Sequence, residues 1–144
     1  KFELPIYNLV SYMRIKDSLN ESTSTFKAEL DRMKFILDQL STNSDTFVLI
    51  DEMLRGTNSV DKYLGSKAII RKILAINGKG MVATHDLQLA SLEEEYMGRL
   101  KNYHFDIQVK DGEMLFDYKL KNGKCTIFNA SLLLKGIGVD VQNV

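Results

Sequence analysis

The sequence predicts an α/β fold in which parallel strands alternate with flanking helices and an antiparallel hairpin closes the chain. Three observations predict it. Two apolar runs, Thr46–Ile50 and Met81–Thr84, are too short for helices and each stops on polar residues. Around them, apolar residues recur at helical spacing. The last third then changes to an alternation of period two, broken by the turn dipeptide Asp111-Gly112.

The elements follow in order. Around Leu9–Ile15, behind Pro5, a loose alternation reads as an edge or entry strand. Asp17–Ser24 (DSLNESTS) is rich in the hydroxyl and carboxamide groups that cap a helix N-terminus. The helix beyond it carries Phe26, Leu30, Met33, Leu37 and Leu40 on one face, with Lys27, Glu29, Asp31, Arg32, Lys34 and Asp38 mostly outside, and ends near Ser41. Thr46–Ile50 reads as a strand buried on both faces. A second helix spans Val60–Ile76 through Leu64, Ala68, Ile69, Ile73 and Ile76, and Asn77-Gly78 stops it. Met81–Thr84 is expected to be another buried strand, ending on Thr84-His85-Asp86. Asp86 can cap a helix over Leu87–Glu95. Strand and helix alternating at these lengths imply right-handed parallel crossovers. In the hairpin, Phe105, Ile107 and Val109 alternate, and Phe116, Tyr118 and Leu120 share a face. Asn122-Gly123 marks a further turn, and Asn129 can cap a short closing helix through Leu134, before Gly136 and Gly138.

Size and composition narrow the function classes. A chain of 144 residues is one domain by the usual prior. Hydrophobic residues make up 44% and charged residues 26%, as in a globular protein rather than a disordered one. Nineteen basic and nineteen acidic side chains cancel, so no global field marks nucleic acid or an anionic membrane as a partner of this segment. Pairs such as Arg71-Lys72, or Lys119 with Lys121 and Lys124, read as solvated faces rather than a phosphate track. A single Cys125 permits no internal disulfide and suits a reducing cytoplasm. No apolar run approaches the roughly 18 residues of a spanning helix. The first residue is Lys1 rather than Met, which suggests a piece of a longer protein.

The chemistry lies at the exit of the Thr46–Ile50 strand. An open α/β sheet binds its ligands beyond the carboxyl ends of its strands, and here Asp51 and Glu52 stand at such an end. A buried strand followed by paired carboxylates is the Walker B arrangement. One acid can hold Mg²⁺ through its water shell, and its neighbour can orient the water that attacks a γ-phosphate. The same pair also reads as solvated loop acids or a helix cap. The adjoining run Arg55-Gly56-Thr57-Asn58-Ser59-Val60-Asp61 favours the first reading.

Three separated stretches resemble the C-terminal ATPase domain of MutS-type mismatch repair proteins. They are Asp51-Glu52 with Arg55-Gly56-Thr57, the Ala83-Thr84-His85 strand end, and Ser24-Thr25-Phe26 with Glu29. The similarity runs from about Met13 through Gly138. It implies the C-terminal part of an ABC-type P-loop NTPase domain, a three-layer fold that binds ATP and Mg²⁺ between two MutS-like protomers and leaves DNA to domains outside this chain. By that resemblance Asp51 is the Mg²⁺ carboxylate, Glu52 the base or water-orienting group and His85 a switch histidine near the γ-phosphate. Asn58, Ser59 and Asp61 fall in the loop linking the two nucleotide sites. Ser24 falls in the signature loop that reaches the partner's nucleotide, helped by the positive end of the following helix. Leu54, Lys62 and Ser22 stand where the family's pattern often has Gly, so a divergent MutS-like relative fits as well as the housekeeping mismatch sensor. No GxxxxGK[ST] occurs in the 144 residues. In the family that loop lies upstream, so this polypeptide alone is expected to bind ATP weakly, not to hydrolyse it, and to leave an apolar sheet face uncovered. Two other readings compete: the ATPase of another ABC-type machine for chromosome maintenance or transport, and a dimerisation or regulatory module without turnover.

Overall fold

A computed structural model of the chain describes residues 5–13, 22–110, 113–126, 134 and 138–139, and at 22–24, 107–110 and 113–114 the backbone alone. The chain divides into two compact units, Lys1–Leu89 and Ala90–Val144.

In the first unit, β1 (Asn8–Tyr12), β2 (Thr46–Asp51) and β3 (Lys79–Ala83) form a parallel sheet in that order, connected by α1 (Ser22–Thr42) and α2 (Ser59–Ala75). The register sets Tyr12 beside Ile50 and Asp51 beside Ala83, so the carboxyl ends of all three strands finish together.

The helical period decides which face of α1 is buried, and the buried set is Glu29, Met33, Ile36 and Leu40. That stripe is rotated by about one residue from the one the sequence predicts: Leu30 is 45% exposed, and Glu29, expected outside, is buried. The helix also begins at Ser22, before the expected start at Phe26, so Ser24 belongs to its first turn. It packs on β1 and β2.

The expectation that β2 is buried on both faces is corrected. Thr46, Val48 and Ile50 are buried and alternate with Phe47, Leu49 and Asp51, of which Leu49 is 40% exposed. A strand covered on one side only shows this alternation. Val10 and Tyr12 of β1 are buried with them, whereas Leu9 is exposed. The second strand expected to be buried, β3, is exposed from Lys79 to Ala83, as the outer strand of the sheet among the described residues. Its Gly80 lies against Val48, where a Cβ would come within 2.4 Å of a Val48 methyl.

Asn58 caps α2: its Oδ1 accepts from the amides of Val60 (3.1 Å) and Asp61 (3.0 Å), and its Nδ2 donates to Asp61 Oδ2 at 2.6 Å. Such a cap contributes about 0.5–2 kcal/mol. Ser66, Ile70, Ile73 and Leu74 form the buried side of α2. Leu64, expected in that stripe, is 56% exposed. After β3 the chain forms a 3₁₀ turn, Leu87–Ser91, with Asp86 Oδ1 accepting from Gln88 N as the sequence predicts.

In the second unit, the short α3 (Leu92–Glu95) completes the segment expected as one helix, and β4 (Tyr103–Lys110) pairs antiparallel with β5 (Glu113–Asn122). The pairing shifts between Phe105 and Ile107: Phe105 meets Leu120, but Ile107 meets Phe116. The bulge places Tyr118 at φ +53°, 82% exposed, and breaks the simple alternation expected there. The Asp111-Gly112 turn and the closing helix over Asn129–Leu134 lie outside the described residues, apart from Leu134, which is helical. A shallow cleft of about 460 Å³ lies beside Met97, Gly98, Lys101 and Gly123, and none of the sequence-predicted site residues lines it.

Candidate functional site at the strand ends

The pleat of β2 and one unusual dihedral separate the two acids. Asp51 follows buried Ile50 onto the open side of the sheet, its side chain 55% exposed, with Arg55 Nη2 the nearest cation at 3.5 Å. Glu52 then takes φ +54°, a left-handed conformation that costs a non-glycine residue about 1–2 kcal/mol. Its residue is only 6% exposed. Adjacent in sequence, the two carboxylates therefore occupy opposite environments.

Three donors from two other elements hold Glu52. Lys62 Nζ, from the first turn of α2, lies 2.5 Å from Oε1. Thr84 Oγ1 donates to the same oxygen at 3.3 Å, and the His85 amide donates to Oε2 at 2.9 Å. Burial pushes the Glu52 pKa up, but the hydrogen bonds from Lys62 and the His85 amide, with the charge of Lys62, outweigh it and hold it below the ordinary carboxylate range. Glu52 is thus a latched carboxylate in a largely buried ion pair.

A second buried carboxylate shapes the loop. Glu29 of α1 accepts from Arg55 N through Oε1 and from Gly56 N through Oε2, each at 3.1 Å. Glycine at 56 suits the close approach: a Cβ there would lie 3.2 Å from Phe26 Cβ and 3.3 Å from Glu29 Oε2, tighter than ordinary contact. Leu54, between the two anchors, also takes φ +54° and is buried. Its side chain lies against Gly65 of α2, where a Cβ would stand 2.5 Å from Leu54 Cδ1. The Leu54 amide points to the Tyr12 hydroxyl at 3.4 Å. Burial, reinforced by Glu29, raises the Tyr12 pKa well above its ordinary value, so this phenol stays neutral and can only hydrogen-bond.

The structure thus brings Asp51, Glu52 and His85 together where β2 and β3 end, with His85 joined to Glu52 through its backbone amide and its side chain exposed. Asn58, Ser59 and Asp61 gather at the start of α2, where Asn58 and Asp61 are bonded to each other and Ser59 is exposed. Ser24 lies in the first turn of α1, and its side chain is outside what is described. Two residues are given no site role by the sequence. Glu29 sits four, seven and eleven residues before Met33, Ile36 and Leu40, a charged residue in phase with the buried stripe, and that phase was the available signal. Lys62 carried no such signal, because its partner is set by the fold.

The donor set can be tested against a magnesium ion. Among the described residues no group of three or more His, Cys, Asp or Glu side chains could hold a metal. Magnesium, however, is commonly held by one or two carboxylates plus waters and phosphate oxygens. Exposed Asp51 fits that role, and latched Glu52 does not.

A parallel α/β sheet with carboxylates and a helix N-terminus collected at its strand ends defines a protein of the open α/β-sheet class, in which ligands generally bind beyond the strand ends. Residues 2–133 match the family described as MutS domain V, and the chain belongs to that family. It is 37% identical over 109 residues to the DNA mismatch repair protein MutS of Aquifex pyrophilus, covering 75% of this chain and 12% of that protein. Against the DNA mismatch repair protein MutS of Streptococcus uberis it is 35% identical over 124 residues, 84% of this chain and 14% of the relative. MutS protein homolog 4 of Mus musculus is 33% identical over 113 residues, 74% of this chain and 12% of the relative. The chain therefore spans 12–14% of the length of these curated relatives.

Proposed function

We propose that this chain is part of the ATPase domain of a MutS-type DNA mismatch repair protein, an ABC-type P-loop NTPase that hydrolyses ATP at a site completed by a second MutS-like protomer. The observation that carries the reading is the division of labour between adjacent acids: exposed Asp51, whose ion pair with Arg55 is long at 3.5 Å, is accessible to a hard cation, and buried Glu52 is fixed beside His85. Magnesium, when bound with ATP, supplies charge neutralisation of the phosphates. Asp51 offers it one carboxylate. Glu52 orients the attacking water, and His85, exposed on the same rim, donates toward the γ-phosphate. Asn58 and Asp61 spend their side-chain bonds on the α2 cap, which leaves exposed Ser59 to reach a partner. By the family resemblance Ser24, in the first turn of α1, is assigned to the partner's nucleotide. Contact with DNA belongs to other domains, in keeping with Lys121 being neutralised by Asp106 and Asp117.

One observation favours a second reading, a dimerisation or regulatory module without turnover: three donors already occupy Glu52. Glu52→Gln in the intact protein separates the two. A water-positioning role predicts hydrolysis falling by about 100-fold or more with ATP binding retained. Unchanged hydrolysis would refute the assignment.

No helix among the described residues is long and apolar enough to cross a membrane.

A further inference from the structure

We propose that Lys62 is a positioning residue that latches Glu52 in a resting state, and that release of the Lys62 ammonium from Glu52 Oε1 is the step that makes the carboxylate available to a water. The inference rests on the ATPase reading and adds the control of its base.

The geometry is specific. Of the two Glu52 oxygens, Oε1 carries the Lys62 ammonium at 2.5 Å together with the Thr84 hydroxyl, while Oε2 carries the His85 amide. Thr84 and His85 directly follow β3, to which Glu52 is also joined through its own amide, donating to Ala83 O at 2.9 Å. The Glu52 amide bond continues the sheet, and the chain keeps Thr84 and His85 next to it. Lys62 alone reaches Glu52 from a separate element on a four-carbon stem, so it is the partner that can leave without the sheet opening. The two side chains are 26% and 7% exposed, so water screens the pair weakly and it holds while the site is at rest. No covalent bond changes in the release step.

The test uses the intact protein and two independent readouts. Acylation of lysine amines, followed by mass spectrometry without nucleotide, should find Lys62 labelled about tenfold more slowly than exposed Lys27. Glu52→Gln should raise Lys62 labelling several-fold and leave Lys27 unchanged. Lys62 reacting as fast as Lys27 in the wild-type protein would overturn the latch without reference to catalysis. In steady-state ATPase assays, Lys62→Met, which keeps the stem and removes the charge, should raise kcat about tenfold with KM nearly unchanged. Lys62→Arg should restore the slow rate. A kcat that falls or stays constant in Lys62→Met overturns the proposal. If Glu52→Gln leaves hydrolysis intact, the ATPase reading itself fails, a result separable from failure of the latch.

Discussion

Replacing Glu29 with Ala tests the least anticipated feature of the site. Glu29 is 5% exposed and gives one oxygen each to the amides of Arg55 and Gly56. A hydrogen bond to a charged group contributes about 1.5–3 kcal/mol. Two such bonds total about 3–6 kcal/mol, from which relief of the carboxylate's own desolvation must be subtracted. Water partly replaces the lost acceptor at these half-buried amides, and the net cost is about 2–4 kcal/mol. For a chain of this size that corresponds to a fall in Tm on the order of 10 °C. Denaturant unfolding of the 144-residue chain measures the free energy, and amide hydrogen exchange locates it: Arg55 and Gly56 should lose protection before the β2 core. Glu29→Gln keeps one acceptor and should cost less than Glu29→Ala. A Glu29→Ala protein within about 0.5 kcal/mol of wild type, with both amides still protected, would refute the claim that this carboxylate holds the loop.

Two other sites offer tests of the same geometry. Leu54→Gly removes a buried side chain, worth about 2–5 kcal/mol, but relieves about 1 kcal/mol of left-handed strain, so it should destabilise by about 2 kcal/mol. Gly65→Ala should destabilise the wild type through its clash with Leu54 yet stabilise the Leu54→Gly background by up to about 1 kcal/mol through helix propensity, a change of sign that unfolding of the double variant reads directly. In the hairpin, the Lys121 ammonium holds the Asp106 carboxyl below its ordinary range, while the Lys119 amide is the first cause for Asp117; both aspartates in turn raise Lys121. Stabilisation from lowered aspartates is present above their unfolded values and lost as pH falls through the folded ones, whereas that from raised Lys121 is lost only at alkaline pH. Exchange protection of β4 and β5, corrected for intrinsic rates, should therefore be level near neutrality and decline in acid. Lys121→Met should weaken that decline.

The architecture was legible because it depends on local pattern. Short apolar runs and helical spacing marked the three parallel strands, the two long helices and the hairpin seen among the described residues, and Asp86 was readable as a cap because capping acts over two or three residues. Burial was less legible. Periodicity alone does not state how many faces of a strand are covered, which is why β2 and β3 were expected to be more buried than they are. Nor does it set the phase of a helix when a charged residue falls on the stripe, as Glu29 does. Apolar spacing counted carbon, and the fold counted donors as well.

The sequence by itself determined the order and type of the elements, the placement of Asp51 and Glu52 at a strand exit, and membership of the MutS domain V family. Those properties arise from near neighbours in the chain and from residue identity. Only the tertiary structure decided that Asp51 stays open while Glu52 is buried and latched by Lys62, and that Glu29 holds the loop between them. These outcomes depend on contacts between elements and on two left-handed residues, Glu52 and Leu54, whose strain the surrounding packing sustains.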